Sequence, residues 1–224
     1  MKILFIGNSH TYYNGVPQLV KELLEYTGVH THVTMSTEGG KGLLYHCNRE
    51  DVNFNIRYGG YDAVVLQDKA SHFNADEFKE GGRTLVRNSL GDSPARRVLY
   101  MIWARRDEKE LQEHIPRSYV ELGEEIHAAV APAGEVWHKM LRESPELEDQ
   151  LYHPDGNHAK PLGSYIAATT LFYAITDRKR PIAIKEGAEP STRLGLDVET
   201  VRRIHKEACA MVGSFTKNES DQDR

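Results

Sequence analysis

Ser9 stands just where an apolar run ends. In "KILFIGNSHTYYN" the strand-like residues 2–7 stop at Gly7, and Asn8-Ser9-His10-Thr11 follows. Gly7 lets the backbone turn sharply. A serine beyond a strand end is a candidate nucleophile, but a free hydroxyl is weak and needs a base. Serines in such places more often cap a turn, so a base has to be found. "YHPDGNHAKPLGSYIAA" offers one, with Asp155 and His158 in a turn-rich stretch ahead of a helical pattern. A three-residue separation lets the carboxylate hold one imidazole nitrogen. The other is then free to take a hydroxyl proton. Donors for a developing oxyanion come from two further stretches. "TEGGKG" (37–42) has glycines whose N–H groups can approach a ligand closely, and "LQD" (66–68) offers the side-chain amide of Gln67.

Other chemistry-bearing residues read more simply as structure. His30 and His32 share one strand face, and a metal site there needs a third ligand that the sequence does not supply. His46 falls on a helical stretch after the glycines and His72 in the loop after the third strand; both read as surface positions. Trp103 ends the fourth strand, as core with one edge near the cleft. Arg105 and Arg106 are able to meet an acidic substrate, but a solvated pair is the simpler reading. Cys47 and Cys209 read as free buried thiols.

The elements that must position these loops alternate. Strands are expected at 2–7, 31–36, 61–68, 96–104 and 128–134. Helices are expected at 16–28, 75–90, 108–130, 135–143, 160–176 and 197–215. Pro116 should break or kink the helix at 108–130, and the pair Gly81-Gly82 should weaken the one at 75–90. Strands alternating with helices imply a parallel sheet covered on both faces, with ligands beyond the carboxyl ends of the strands. The chain of 224 residues suits one domain, expected over 1–215, with a polar tail at 216–224.

Composition narrows the function classes. The chain is 39% hydrophobic and 27% charged, with a formal charge of −5, so no basic footprint for nucleic acid is present. No apolar run is long enough to span a bilayer. Since the chain opens directly on a strand, a cytoplasmic location is expected unless a leader was removed. Nothing in the pattern sets an oligomeric state.

The four chemical stretches, in order, resemble the SGNH (GDSL-like) hydrolase superfamily. The resemblance is more specific to a bacterial branch carrying "GNS", "TYYN", "GG", "VVLQ" and "D..H" patterns. They stand here as "GNSHTYYN", "GGKGLLYH", "YDAVVLQD" and "DGNHAKPLGSYIAA", reaching from the first strand to about residue 215. The resemblance implies an α/β, flavodoxin-like, three-layer α/β/α sandwich with a five-stranded parallel sheet in the order 2-1-3-4-5. It implies a serine esterase with Ser9 as nucleophile, His158 as base and Asp155 as its orienter. Ser9, Gly40 and Gln67 would be the oxyanion donors. His10 and Trp103 would line the substrate pocket. No metal or organic cofactor is implied, and the partner is a small-molecule ester. The polar cleft loops favour a short acyl group on a polar alcohol such as a carbohydrate. The superfamily more often has asparagine after strand three, where this chain has Gln67, with Asp68 in a local role. Two other readings remain: a non-catalytic ligand-binding module of the same fold, and a phosphate- or nucleotide-binding protein using "GNSHT", which lacks phosphate-loop spacing.

Overall fold

The computed structural model describes residues 1–69, 71–187 and 192–217. Strand β1 (Lys2–Gly7) is buried from its second residue on. It pairs in parallel with β2 (His32–Thr37) on one side and β3 (Ala63–Gln67) on the other. β4 (Arg96–Met101) and β5 (Ala128–Pro132) complete the sheet in the order β2-β1-β3-β4-β5. The central strands read as continuous apolar runs because both of their faces are covered.

Alternation along each strand divides the core into two layers. Ile3, Phe5, Val65 and Tyr100 pack beneath α2 (Val16–Tyr26), α7 (Ala133–Glu143), α9 (Pro161–Thr176) and α10 (Val198–Lys217). Leu4, Ile6, Val64 and Leu99 pack beneath α3 (Leu43–His46), α4 (Glu50–Tyr58), α5 (Ala75–Leu85) and α6 (Ile115–Ile126). The result is the α/β/α sandwich expected. Two short helices complete the described α-helices: α1 (Ser9–Tyr12), directly after β1, and α8 (Glu148–Leu151), before α9. No described helix is long and apolar enough to cross a membrane.

Three details depart from expectation. Pro116 does not interrupt a long helix. It sits in the first turn of α6, after a separate 3₁₀ turn at Lys109–Glu113. The first turn has no N–H to lose, so proline fits there. Gly81 marks a close helix contact rather than a weakness: a Cβ there would lie 2.4 Å from the backbone nitrogen of Leu44 in α3. α10 continues through Lys217, two residues past the expected domain end, while 218–224 fall outside the described residues.

Candidate active site

β1 and β3 are neighbours, so their C-terminal loops meet. Ile6 pairs with Leu66, which sets Gly7 beside Gln67. A Cβ at Gly7 would lie 2.4 Å from Gln67 Oε1 and 2.5 Å from Thr11 Oγ1, so only glycine fits. Asn8 caps α1 with Oδ1, which accepts from the His10 N–H at 3.1 Å. Its Nδ2 donates to the Lys41 carbonyl at 2.8 Å, tying the Ser9 loop to the glycine loop after β2.

Ser9 is the first residue of α1. Its Oγ lies 2.8 Å from His158 Nε2, and His158 Nδ1 lies 2.6 Å from Asp155 Oδ2. The other carboxylate oxygen accepts the backbone N–H groups of Asn157 and His158, each at 2.9 Å. Partial burial pushes the Asp155 carboxyl up. The His158 hydrogen bond and those two N–H groups outweigh that and hold it well below the usual carboxylate range. An ionised carboxylate only accepts, so Nδ1 carries the imidazole proton and Nε2 faces Ser9 with its lone pair. The His158 loop is fixed from several sides. His153 N donates to His158 O, Arg106 N to Gly156 O, and Trp103 Nε1 to Asn157 O at 3.0 Å.

A cavity of about 220 Å³ opens beside Ser9, its wall including His10, Gly40, Lys69, Ser71 and Asn157. A larger one, about 840 Å³, lies at the opposite end of the sheet, around the starts of β4 and β5. Cationic groups there already serve the fold. Arg97 donates to the carbonyls of Ile126 and Leu90, Arg96 to that of Ala174, and Lys179 to Asp177.

Ser9, His158, Asp155, Gly40 and His10 therefore come together. His10 is buried and stacks over His158, and burial, then the charge of His158, lowers its pKa to about 4. Gln67 does not join them, and its expected role as an oxyanion donor is corrected. Its carbonyl oxygen accepts from the Asn8 N–H and the Thr11 hydroxyl, both at 2.9 Å, while its amide nitrogen donates to the Asp68 carbonyl. A backbone N–H can only donate, so the carbonyl must face Asn8 and the amide must face away. Trp103 is likewise corrected. It is buried in a stack on Trp137, 4.1 Å between ring centres, and reaches the site without lining the cavity, by packing on the His10 ring at 5.3 Å and by holding the Asn157 carbonyl. His46 is not a surface residue. It is buried, and its Nε2 lies 2.8 Å from the Gly7 carbonyl, which makes it a donor beneath the Ser9 loop. Burial lowers its pKa.

Asp68 takes a local role, accepting from the N–H groups of Leu43 and Lys69. His72 stands exposed at the cavity edge. Arg105 and Arg106 pair with Asp107 and Asp149 at the surface. His30 and His32 have no third ligand, and no group of three or more His, Cys, Asp or Glu among the described residues is placed to hold a metal ion. The sequence reading missed Thr11, Tyr13, Asn14, Ser71 and Asn157.

The Gln67 geometry changes what a substitution should do. Gln67→Ala leaves the buried Asn8 N–H without an acceptor, which costs about 1–3 kcal/mol. The melting temperature is expected to fall by roughly 3–10 °C. Gln67→Glu should fall further, since it places a second carboxylate beside buried Asp68 and cannot donate to the Asp68 carbonyl. Thermal denaturation checks both; an unchanged midpoint for Gln67→Ala would contradict the anchoring role.

No family model and no curated protein matches the chain. Solved structures do. A DUF4886 family protein from Bacteroides uniformis superposes with a TM-score of 0.72 at 18% identity, covering 95% of this chain and 94% of its own. An acetyl xylan esterase from Geobacillus stearothermophilus gives 0.64 at 18% identity over 82% of this chain and 97% of its own. A putative GDSL-like lipase from Parabacteroides merdae gives 0.64 at 15% identity over 79% and 96%. The chain has the SGNH/GDSL-like hydrolase fold.

Proposed function

We propose that the protein is a serine esterase acting on short-chain acyl esters of polar alcohols. One observation carries the reading: the unbroken hydrogen-bond line from Asp155 through His158 to Ser9, opening on a cavity. As the Ser9 oxygen attacks the ester carbonyl, its proton passes to His158 Nε2, and Asp155 stabilises the imidazolium that forms. The negative charge moves to the carbonyl oxygen, where the N–H groups of Ser9 and Gly40 stabilise it. The Ser71 hydroxyl is the third donor in this reading. It stands in the same cavity wall and, among the described residues, is engaged only with Asn157 Oδ1, at 3.3 Å. The intermediate then expels the alcohol, which takes its proton from His158. Water, deprotonated by His158, releases the acyl group from Ser9.

Size and lining support a short acyl group. About 220 Å³ is below the range usual for drug-sized ligands, and polar residue types such as Asn8, Ser71 and Asn157 supply much of the wall, its polar and apolar surface being in near-equal shares. The acetyl xylan esterase and the GDSL-like lipase among the structural neighbours mark two chemistries of this fold, and the cavity favours the first. A series of p-nitrophenyl esters tests the reading, with acetylated xylo-oligosaccharides alongside. Turnover is expected to be highest for acetate and to fall as the acyl chain lengthens. A fluorophosphonate should label Ser9. Absence of both labelling and turnover would reject the esterase reading.

A further inference from the structure

Gly7, Asn8, Ser9, His10 and Thr11 are accounted for by the loop and its cap. Tyr13 and Asn14 are not, yet both reach His158 or its neighbour. The Tyr13 ring stacks on the His158 imidazole, 4.3 Å between centres and 17° between planes. His10 stacks on it at 5.1 Å and 27°. Two rings stacked on one five-membered ring have room only on opposite faces. His158 is thus held in its plane by Ser9 and Asp155, and across its plane by Tyr13 and His10.

The chain invests in this placement. After α1 it turns through two consecutive left-handed residues, Asn14 (φ 52°) and Gly15 (φ 68°). Asn14 Nδ2 then donates to the carbonyl of Ala159 and to Ser164 Oγ, both at 2.9 Å. Ala159 directly follows His158, so the staple fixes the Tyr13 ring relative to the imidazole. An aromatic face attracts a cation more than a neutral ring.

We propose that Tyr13 is a positioning residue for His158: stapled by Asn14, its ring face keeps the imidazole on the line from Asp155 to Ser9 and stabilises the imidazolium that forms when Ser9 gives up its proton. This rests on the esterase reading above. The imidazolium is generated as Ser9 attacks, so the contribution belongs to kcat rather than KM.

The test compares Tyr13→Phe, Tyr13→Leu and Asn14→Ala with the wild-type protein. On p-nitrophenyl acetate, Tyr13→Leu is expected to lower kcat by about 5- to 30-fold with KM changed less than about twofold. Tyr13→Phe keeps the ring face and should retain wild-type kcat. Asn14→Ala should act in the same direction as Tyr13→Leu with smaller size, and it keeps the proposal testable if Tyr13→Leu fails to fold. Fluorophosphonate labelling of Ser9, which needs His158 but no ester, should slow in parallel. The ring-proton resonances of His158 should move downfield in Tyr13→Leu, through loss of the ring current, and stay in place in Tyr13→Phe. Unchanged kcat and labelling rate in Tyr13→Leu, or unmoved His158 resonances, would overturn the role of Tyr13 while leaving the esterase intact. A wild-type protein that neither turns over esters nor labels at Ser9 would remove the reaction, and the role of Tyr13 with it.

Discussion

Ser9→Ala is expected to lower kcat by at least about 10³-fold, with the fold intact. Among the described residues Ser9 Oγ has a single hydrogen-bond partner, His158 Nε2. What holds the loop in shape belongs to its neighbours: the Asn8 cap, the Asn8 bond to Lys41, and the bonds from Asn8 and Thr11 to Gln67. Removing the hydroxyl therefore deletes the nucleophile and little else, and stability should stay within about 0.5 kcal/mol. His158→Ala should be about as severe, because the two side chains act as one unit. The double variant should then lose little more than either single one. Asp155→Asn should be damaging in a different way. An amide nitrogen turned to His158 donates where the carboxylate accepted, so the proton is driven to Nε2 and the face toward Ser9 loses its lone pair. Steady-state hydrolysis of p-nitrophenyl acetate by the purified variants measures all four. Wild-type turnover by Ser9→Ala would place the nucleophile elsewhere.

The parts of the site readable from sequence were those fixed by loop position. Ser9 ends an apolar run that had to be a central strand, and the Asp155–His158 spacing is local, so both survive folding unchanged. Gln67 was misread because residue type at a strand end says nothing by itself about direction. The two-residue alternation did carry that direction. Ala63 and Val65 face the layer of α2 and α9, so Gln67 faces the same side, beneath Gly7 and Thr11. Trp103 was legible as core with one edge near the cleft, but its expected part in the pocket wall was not borne out, because the stack on Trp137, 34 residues away in sequence, follows from no local pattern. Tyr13 stood in the "TYYN" pattern but was given no role, since its meaning depends on a ring 145 positions later. α4 went unread because it buries only Val52 and Ile56, too thin an apolar stripe to stand out in nine residues.

Acid should unfold this protein earlier than its carboxylates alone would. His10, His138 and His205 are buried, and burial is the largest cause lowering each pKa from 6.5 to about 4. The surroundings reinforce it. His10 faces His158, and Arg142 and Lys109 act on His138. His205 sits between the hydroxyls of Tyr165 and Tyr173, each at 2.9 Å. A neutral imidazole can give its proton to one hydroxyl and accept from the other; a second proton would turn one of those donors away. The unfolded chain binds these protons near pH 6.5 and the folded chain only near pH 4. Stability is therefore fully present above 6.5 and is lost as pH falls between the two. From pH 7 to pH 5 each histidine removes about 2 kcal/mol, together on the order of 5 kcal/mol. That corresponds to roughly 10–20 °C in melting temperature. Carboxylates such as Asp155 and Glu121, whose pKa values are lowered in the fold, lose their stabilisation only below about pH 4.5. Buried Asp68 is raised by its burial, so it acts in the opposite sense. Across the interval from 6.5 to 4.5 the buried imidazoles, His46 among them, weaken the fold while Asp68 offsets part of the loss. Calorimetry across it should show a steady fall in the midpoint, and His205→Gln, which titrates nowhere in that range, should make the slope shallower. A midpoint unchanged between pH 7 and pH 5 would mean that these imidazoles are not held neutral in the fold.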